Sequence, residues 1–374
     1  MGMLTDTQSL FSRNMRDIVT SLDGEAYAPI VVHSEGRQTM AFVLHAVNDL
    51  VTIHTSEIVD NLAEAYNPYL DNTEICSQEL STVSIETRNE SDEFTVSRWA
   101  IRVLCGGYDT HRLTDEYDFL QHNFLTWRPQ TDFVVPGIKQ QLSFVICNTG
   151  ADPDTTYPAE TVRRLYAKIY FRNLPPIVKE LAYVGSNLYI YRLDCSYDRI
   201  ASLVADLDDE VVAYDIYGGI DSDDVNCIPI KPQRFVVCPQ SDSYSHFFFQ
   251  NSLGGFDTII ARGEFKCIAD GEIVTARMRN TEIEVTNDYL QSWEVNTGYI
   301  TTAQEENLWH EFLRSTNRYI LFGDGSYRKI IVEEYKAERV KLEVDSFTFK
   351  FHYAEVVKGS FAEKSETLPD FFIK

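Results

Sequence analysis

Residues 247–260 read FFFQNSLGGFDTII, and this stretch restricts the chain more than any other. Three adjacent phenylalanines in an extended strand, Phe247, Phe248 and Phe249, send side chains to both faces. Both faces must then be covered, either inside one chain or with one face against another subunit, since a large apolar surface is unusual on a water-soluble monomer. Gly254-Gly255 interrupts the run and a β-branched strand returns. The glycines are no phosphate loop: a Lys-Ser/Thr pair is missing and the residues after them read as strand rather than helix. They read as a hairpin turn that needs positive φ, with Asp257 bonding back to a turn amide.

The rest of the chain agrees with strands. Phe (22) and Tyr (21) dominate the aromatics, and with abundant Val, Ile and Thr they favour β-structure. A length of 374 residues is too great for one ordinary domain. The expected fold is mainly β: two or three antiparallel β-sandwich-like domains with a few short helices. An N-terminal β-domain over 1–150 contains a hairpin around Asn48-Asp49, a helix in SEIVDNLAEAY capped by Thr55 or Ser56, and a second hairpin turning at Asn89–Glu93. The loop-like NTGADPDTTYPAE, residues 148–160, leads to a middle β-rich domain over 151–240. There TVRRLYAKIYFRN alternates imperfectly at Val162, Leu165/Tyr166, Ile169 and Phe171.

The C-terminal domain, 241–374, is α+β. Thr302 followed by Glu305 predicts a capping box for a helix over 303–315 with Leu308, Trp309, Phe312 and Leu313 on one face. Phe347, Phe349, Phe351 and Tyr353 alternate with Thr348, Lys350 and His352, the pattern of a half-buried antiparallel strand.

A net charge of −24 argues against nucleic-acid binding and against an anionic membrane surface. No apolar run reaches the ~20 residues of a membrane span, and the opening residues lack a signal-peptide core. The seven cysteines (Cys76, Cys105, Cys147, Cys195, Cys227, Cys238, Cys267) are scattered without a C-x-x-C pair, so they read as reduced thiols rather than a zinc site or a disulfide framework. The acidic stretch 206–224 could offer Asp221, Asp223 and Asp224 to calcium, but the sixth and twelfth places of an EF-hand loop would be Asn226 and Pro232. A solvated loop, or a face for a basic partner, fits it better. His111 and His122 flank Asp115, Glu116 and Asp118 without a nucleophile motif beside them. No catalytic signature, cofactor site or metal site is expected, and the chain does not read as an enzyme.

Four stretches carry a resemblance: NFLTWRPQT (123–131), FFFQNSLGGFDT (247–258), EVNTGYITTAQEENLWHEFLRSTNRYIL (294–321) and FTFKFHYAE (347–355). In this order they resemble a family of phage and prophage proteins of gut Bacteroidales found among tail and baseplate genes. The resemblance implies a virion structural protein, similar in role to distal-tail and baseplate-hub proteins, folded and assembled in the bacterial host cytoplasm. It implies partners as well: copies of itself in a ring, and other virion tail proteins. On this reading the three phenylalanines are shared between the domain core and a subunit interface. A carbohydrate- or receptor-binding β-module is the alternative, and an acidic hydrolase using paired carboxylates is a weaker one.

Overall fold

The computed structural model describes residues 9–355 apart from 22–25, 35–36, 64–73, 90–94, 110–112, 114, 147–162, 186–188, 220–229, 240, 242–243, 279–280 and 339–345. The loop at 148–160 and the candidate calcium ligands Asp221, Asp223 and Asp224 lie outside the described residues. The fold is mainly β, with several antiparallel sheets and four short α-helices among the described residues.

The N-terminal third contains β1 (Ile18–Ser21), β2 (Tyr27–Ser34), β3 (Arg37–His45), β4 (Leu50–Ile53), α1 (Thr55–Leu62), β5 (Ile75–Glu79), β6 (Ser81–Arg88) and β7 (Thr95–Val103). Next come α2 (Glu116–His122), β8 (Thr131–Val134) and β9 (Gln141–Ile146). The middle holds β10 (Arg163–Phe171), β11 (Ile177–Val184), β12 (Tyr189–Asp194), α3 (Tyr197–Ser202), β13 (Val211–Gly219) and β14 (Gln233–Val237). The C-terminal third runs through β15 (Ser245–Gln250), β16 (Phe256–Ala261), β17 (Phe265–Met278), β18 (Thr281–Asn296), α4 (Ala303–Arg314), β19 (Arg318–Leu321), β20 (Tyr327–Glu338) and β21 (Ser346–Tyr353).

A four-stranded sheet, β3-β2-β6-β7, and the pair β1-β4 enclose one core built on Ile30, Val32, Ile53, Val59, Val83 and Val103. Asn48 and Asp49 both adopt positive φ, 54° and 62°, as a two-residue turn requires. The strands flanking that turn then part: β3 pairs with β2 and β4 with β1. The N-cap of α1 is His54 and makes no side-chain cap bond; Thr55 Oγ1 instead donates to the Ile53 carbonyl at 3.2 Å.

The second unit is a sandwich. The five-stranded sheet β11-β10-β13-β14-β8 faces the three-stranded sheet β5-β12-β9 across a core that includes Leu165, Ile169, Tyr214, Phe235, Phe144 and Leu193. The expected boundary at 240 falls between sheets, since β14 ends at Val237 and the seven-stranded sheet begins with β15 at Ser245, but the one at 150 does not. Strand β12 pairs on one side with β5 and on the other with β9, and β8 joins β14 in parallel. Residues before 150 thus complete the middle unit, because strand pairing follows space rather than chain order.

The third unit is the seven-stranded antiparallel sheet β16-β15-β19-β20-β21-β18-β17, with α4 against one face. Leu308, Trp309, Phe312 and Leu313 are its buried stripe, as the periodicity predicts. Glu305 N–H donates to Thr302 Oγ1 at 3.1 Å, while the Glu305 carboxylate accepts from Thr301 N–H, one residue before the N-cap. Phe347, Phe349 and Phe351 are buried alternately on β21.

Candidate functional site

Strand β15 answers the question its sequence poses. Phe247 and Phe249 point into the core under α4, with ring centroids 5.4 and 5.5 Å from Phe312. Phe248 points the other way, into a junction core with Leu104, Leu125, Val145, Ile190 and Phe256, where it stacks on Phe256 at 5.0 Å and 9°. All three side chains are fully buried. Both faces are covered inside one chain, so these phenylalanines leave no surface for the subunit interface expected of them.

The turn that follows is a seam between units. Gly254 has φ +79°, and a Cβ there would meet the Cys105 carbonyl at 2.6 Å. Gly255 is needed for a different reason: a Cβ would collide with the Leu125 carbonyl. One glycine serves the turn and the other a close backbone approach. The residue that bonds the turn amides is Asn251, whose Oδ1 accepts from Leu253 N–H at 3.0 Å and Gly255 N–H at 3.1 Å.

Asp257 does something else. Its Oδ2 accepts from Asn251 Nδ2 at 2.7 Å, and its Oδ1 accepts from Thr126 Oγ1 at 2.7 Å and Arg128 Nε at 2.8 Å. Arg128 reaches on to Gln140 Oε1 at 2.6 Å. Both Asp257 and Arg128 side chains have zero exposure. Burial would lower the Arg128 guanidinium, but Asp257 and Asp132 outweigh it and hold the group above its ordinary value. Nearby, Trp127 Nε1 donates to Ser252 Oγ at 2.8 Å and Ser252 N–H to the Glu311 carboxylate at 2.9 Å. Three stretches distant in sequence, 123–131, 247–258 and 294–321, are therefore tied together by a buried network at Asp257 and a half-buried bond chain through Ser252, and Phe349 and Phe351 of the fourth contact Phe247.

The carboxylates around α2 also have structural partners. Asp115 caps the helix by accepting from Asp118 N–H at 3.0 Å, and Glu116 accepts from Ser9 Oγ, Leu10 N–H and Tyr108 Oη at 2.6, 2.6 and 2.9 Å. His111 lies outside the described residues. Cys105, Cys195, Cys238 and Cys267 are free thiols, and burial pushes those of Cys105 and Cys195 up, away from the reactive thiolate form. Among the described residues no three His, Cys, Asp or Glu side chains gather as metal ligands.

Two open features remain. The first is a ribbon: β17 and β18 are registered with each other from Phe265↔Val295 to Met278↔Thr281, yet β18 meets β21 only over Trp293–Asn296. Beyond Trp293, no third strand is registered with the ribbon among the described residues.

The second is the outer face of the five-stranded sheet. On β10, Leu165, Ala167, Ile169 and Phe171 point inward, so Arg164, Tyr166, Lys168 and Tyr170 point outward. Tyr166 lies opposite Tyr217 with centroids 5.8 Å apart and 29° between planes. Arg234 forks onto Asp215 (Nε–Oδ1 2.7 Å, Nη2–Oδ2 2.8 Å), and Tyr170 Oη donates to the same carboxylate at 2.8 Å. Burial alone would raise the Asp215 carboxyl; the bonds from Arg234 and Tyr170 outweigh it and hold the group below the usual range. Sequence reading missed this face because it counted Tyr166 among the apolar residues, which blurred a clean period of two.

No protein-family model matches this chain, and neither does any curated protein.

Proposed function

We propose that this chain is a non-catalytic structural protein of a phage virion, a tail or baseplate component that assembles as a ring and docks neighbouring tail proteins. The observation that carries the reading is the β17–β18 ribbon. A strand of 14 residues spans roughly 45 Å, and a two-stranded ribbon standing alone is marginally stable in water. Such an arm is at home where neighbouring subunits cover it and supply the missing contacts. The resemblance of the four quoted stretches to tail and baseplate proteins supports the same reading. So does the use of the carboxylates and thiols described above as caps, struts and core. In this reading the protein folds in the host cytoplasm, and its partners are its own copies and other tail proteins.

The test removes the arm and leaves its base. Ala269 and Gln291 are register partners, so an Asn-Gly turn can join them directly. The shortened chain should unfold as cooperatively as the full one but fail to enter phage particles, whereas the labelled full-length chain should be found at the tail. A full-length chain absent from particles, or a shortened chain incorporated normally, would refute the proposal.

A further inference from the structure

We propose that the open face of the five-stranded sheet binds a neutral glycan, stacked on the Tyr166–Tyr217 pair with its hydroxyls on the Lys168–Asp215–Arg234 row. A sugar ring has an apolar C–H face and an edge of hydroxyls that donate and accept. It needs an aromatic platform with a few placed polar groups beside it. The sheet supplies both in adjacent rows. Tyr166 pairs across β10 and β13 with Tyr217, and two residues along Lys168 pairs with Asp215, which pairs with Arg234 on β14. Rows two residues apart are about 6.6 Å apart along a strand, within reach of one sugar's hydroxyls.

The platform is shaped by an absent side chain. A Cβ at Gly219 would fall 2.5 Å from Tyr166 Cε2 and 2.8 Å from Cδ2, so the ring lies where any larger residue would displace it. The polar row is also held in place. Arg234 and Tyr170 both bond Asp215, the Arg234 guanidinium stands 5.2 Å from the Tyr170 ring, and Lys168 Nζ stands 5.5 Å from that ring.

Charge selects the class of ligand. On this face Arg234 is matched by Asp215 and Arg164 by Glu180, 3.6 Å away, in a chain of net charge −24. A polyanion such as single-stranded nucleic acid requires cations not already neutralised by carboxylates. A protein partner would place its most apolar, charge-depleted patch at the centre, which is where the charged row crosses. A neutral polyhydroxylated ligand fits a row whose arginines are already matched, beside half-buried rings.

Cross-strand tyrosines also stabilise sheets by themselves, so the test separates binding from folding. The full chain is run in native gels containing xyloglucan, galactomannan, arabinoxylan or dextran, and each variant is checked by thermal unfolding. At least one polysaccharide should retard the protein. Tyr217→Ala and Tyr166→Ala should each weaken retardation about tenfold, the loss expected for one stacking ring. Gly219→Val, which keeps both rings but displaces one, should weaken it as well, and Tyr335→Ala on the seven-stranded sheet should change nothing. The proposal is overturned by no retardation in any of the four gels, or by retardation that the tyrosine and glycine changes leave intact. Binding to a single-stranded oligonucleotide alone would also overturn it, as would conversion of an oligomer to monomer by Tyr217→Ala in sedimentation.

Discussion

Two arginine–aspartate pairs in this molecule use the same atoms and distances in opposite surroundings. Arg128–Asp257 closes at 2.8 Å with both side chains at zero exposure, whereas Arg234–Asp215 closes at 2.7 Å with 46% and 12% exposure. In the first, neither partner has water to fall back on, so the pair fixes which segments meet: the loop after α2 and the start of β16. Its net worth against an apolar pair is small, yet once built it cannot lose one member cheaply. In the second, Asp215 is buried but Arg234 stands at the solvent edge, so water reaches the pair from one side and Arg234 keeps an outward face for a ligand. The distances alone do not distinguish a structural clamp from a binding surface; the surroundings do.

The comparison can be broken most directly at its buried end. Asp257→Asn should cost about 3–5 kcal/mol in urea unfolding, because it strands the Arg128 guanidinium in the core. Replacing both, Arg128→Met with Asp257→Leu, should recover much of that loss. A single-variant cost as small as that of an exposed pair would erase the distinction. Next in size is His246, buried on the same strand as the phenylalanines, where burial lowers its pKa to about 4 from 6.5. The folded value lies below the unfolded one, so the unfolded chain binds the extra proton first. Stability is full above about pH 6.5 and falls as pH drops toward 4, by on the order of 3 kcal/mol for this group. His246→Gln should flatten that part of the stability profile, and an unchanged profile would contradict the burial argument.

Between the extremes stands the solvent-facing cap of α4. Thr302→Ala removes one hydrogen bond and should cost about 1 kcal/mol, read as a shift in the unfolding midpoint. The smallest effect belongs to the half-exposed pair: Asp215→Asn leaves an Arg234 that is 46% exposed to water rather than stranded, so stability should change by about 1 kcal/mol or less. A loss near that of Asp257→Asn would show the open face to be a structural element instead.

What the sequence revealed was what neighbouring residues decide. The α4 stripe follows from spacing within a few turns, the β21 alternation from period two, and the Asn48-Asp49 turn from two residues that tolerate positive φ. The need to cover both faces of Phe247–Phe249 was legible too, but the covering groups were not. They come from α4, from Leu104 and Leu125, and from β21. Asp257 was assigned to its own turn because local bonds are the ones a sequence suggests, while its real partner lies 129 positions away. The domain limit at 150 failed for the same reason: β5 and β8 are completed by strands from the middle of the chain. The Tyr166–Tyr217 platform was hidden because tyrosine serves both cores and surfaces, and only the inward direction of Leu165, Ala167 and Ile169 shows which role it has.

The central position of β12 has a consequence in time. It joins β5 to β9, and Arg192 on β12 bonds Gln78 on β5 across 114 positions. At a synthesis rate of 5–20 residues per second, β5 has waited roughly 6–23 s before its partner leaves the ribosome. Until then β5, and β9 once it has been made, present open edges. The first unit can therefore close before β12 is made, but the second cannot be completed until it arrives. A nascent chain halted before residue 190 should be the most association-prone species this protein passes through, and late closure by β12 the step that ends the hazard.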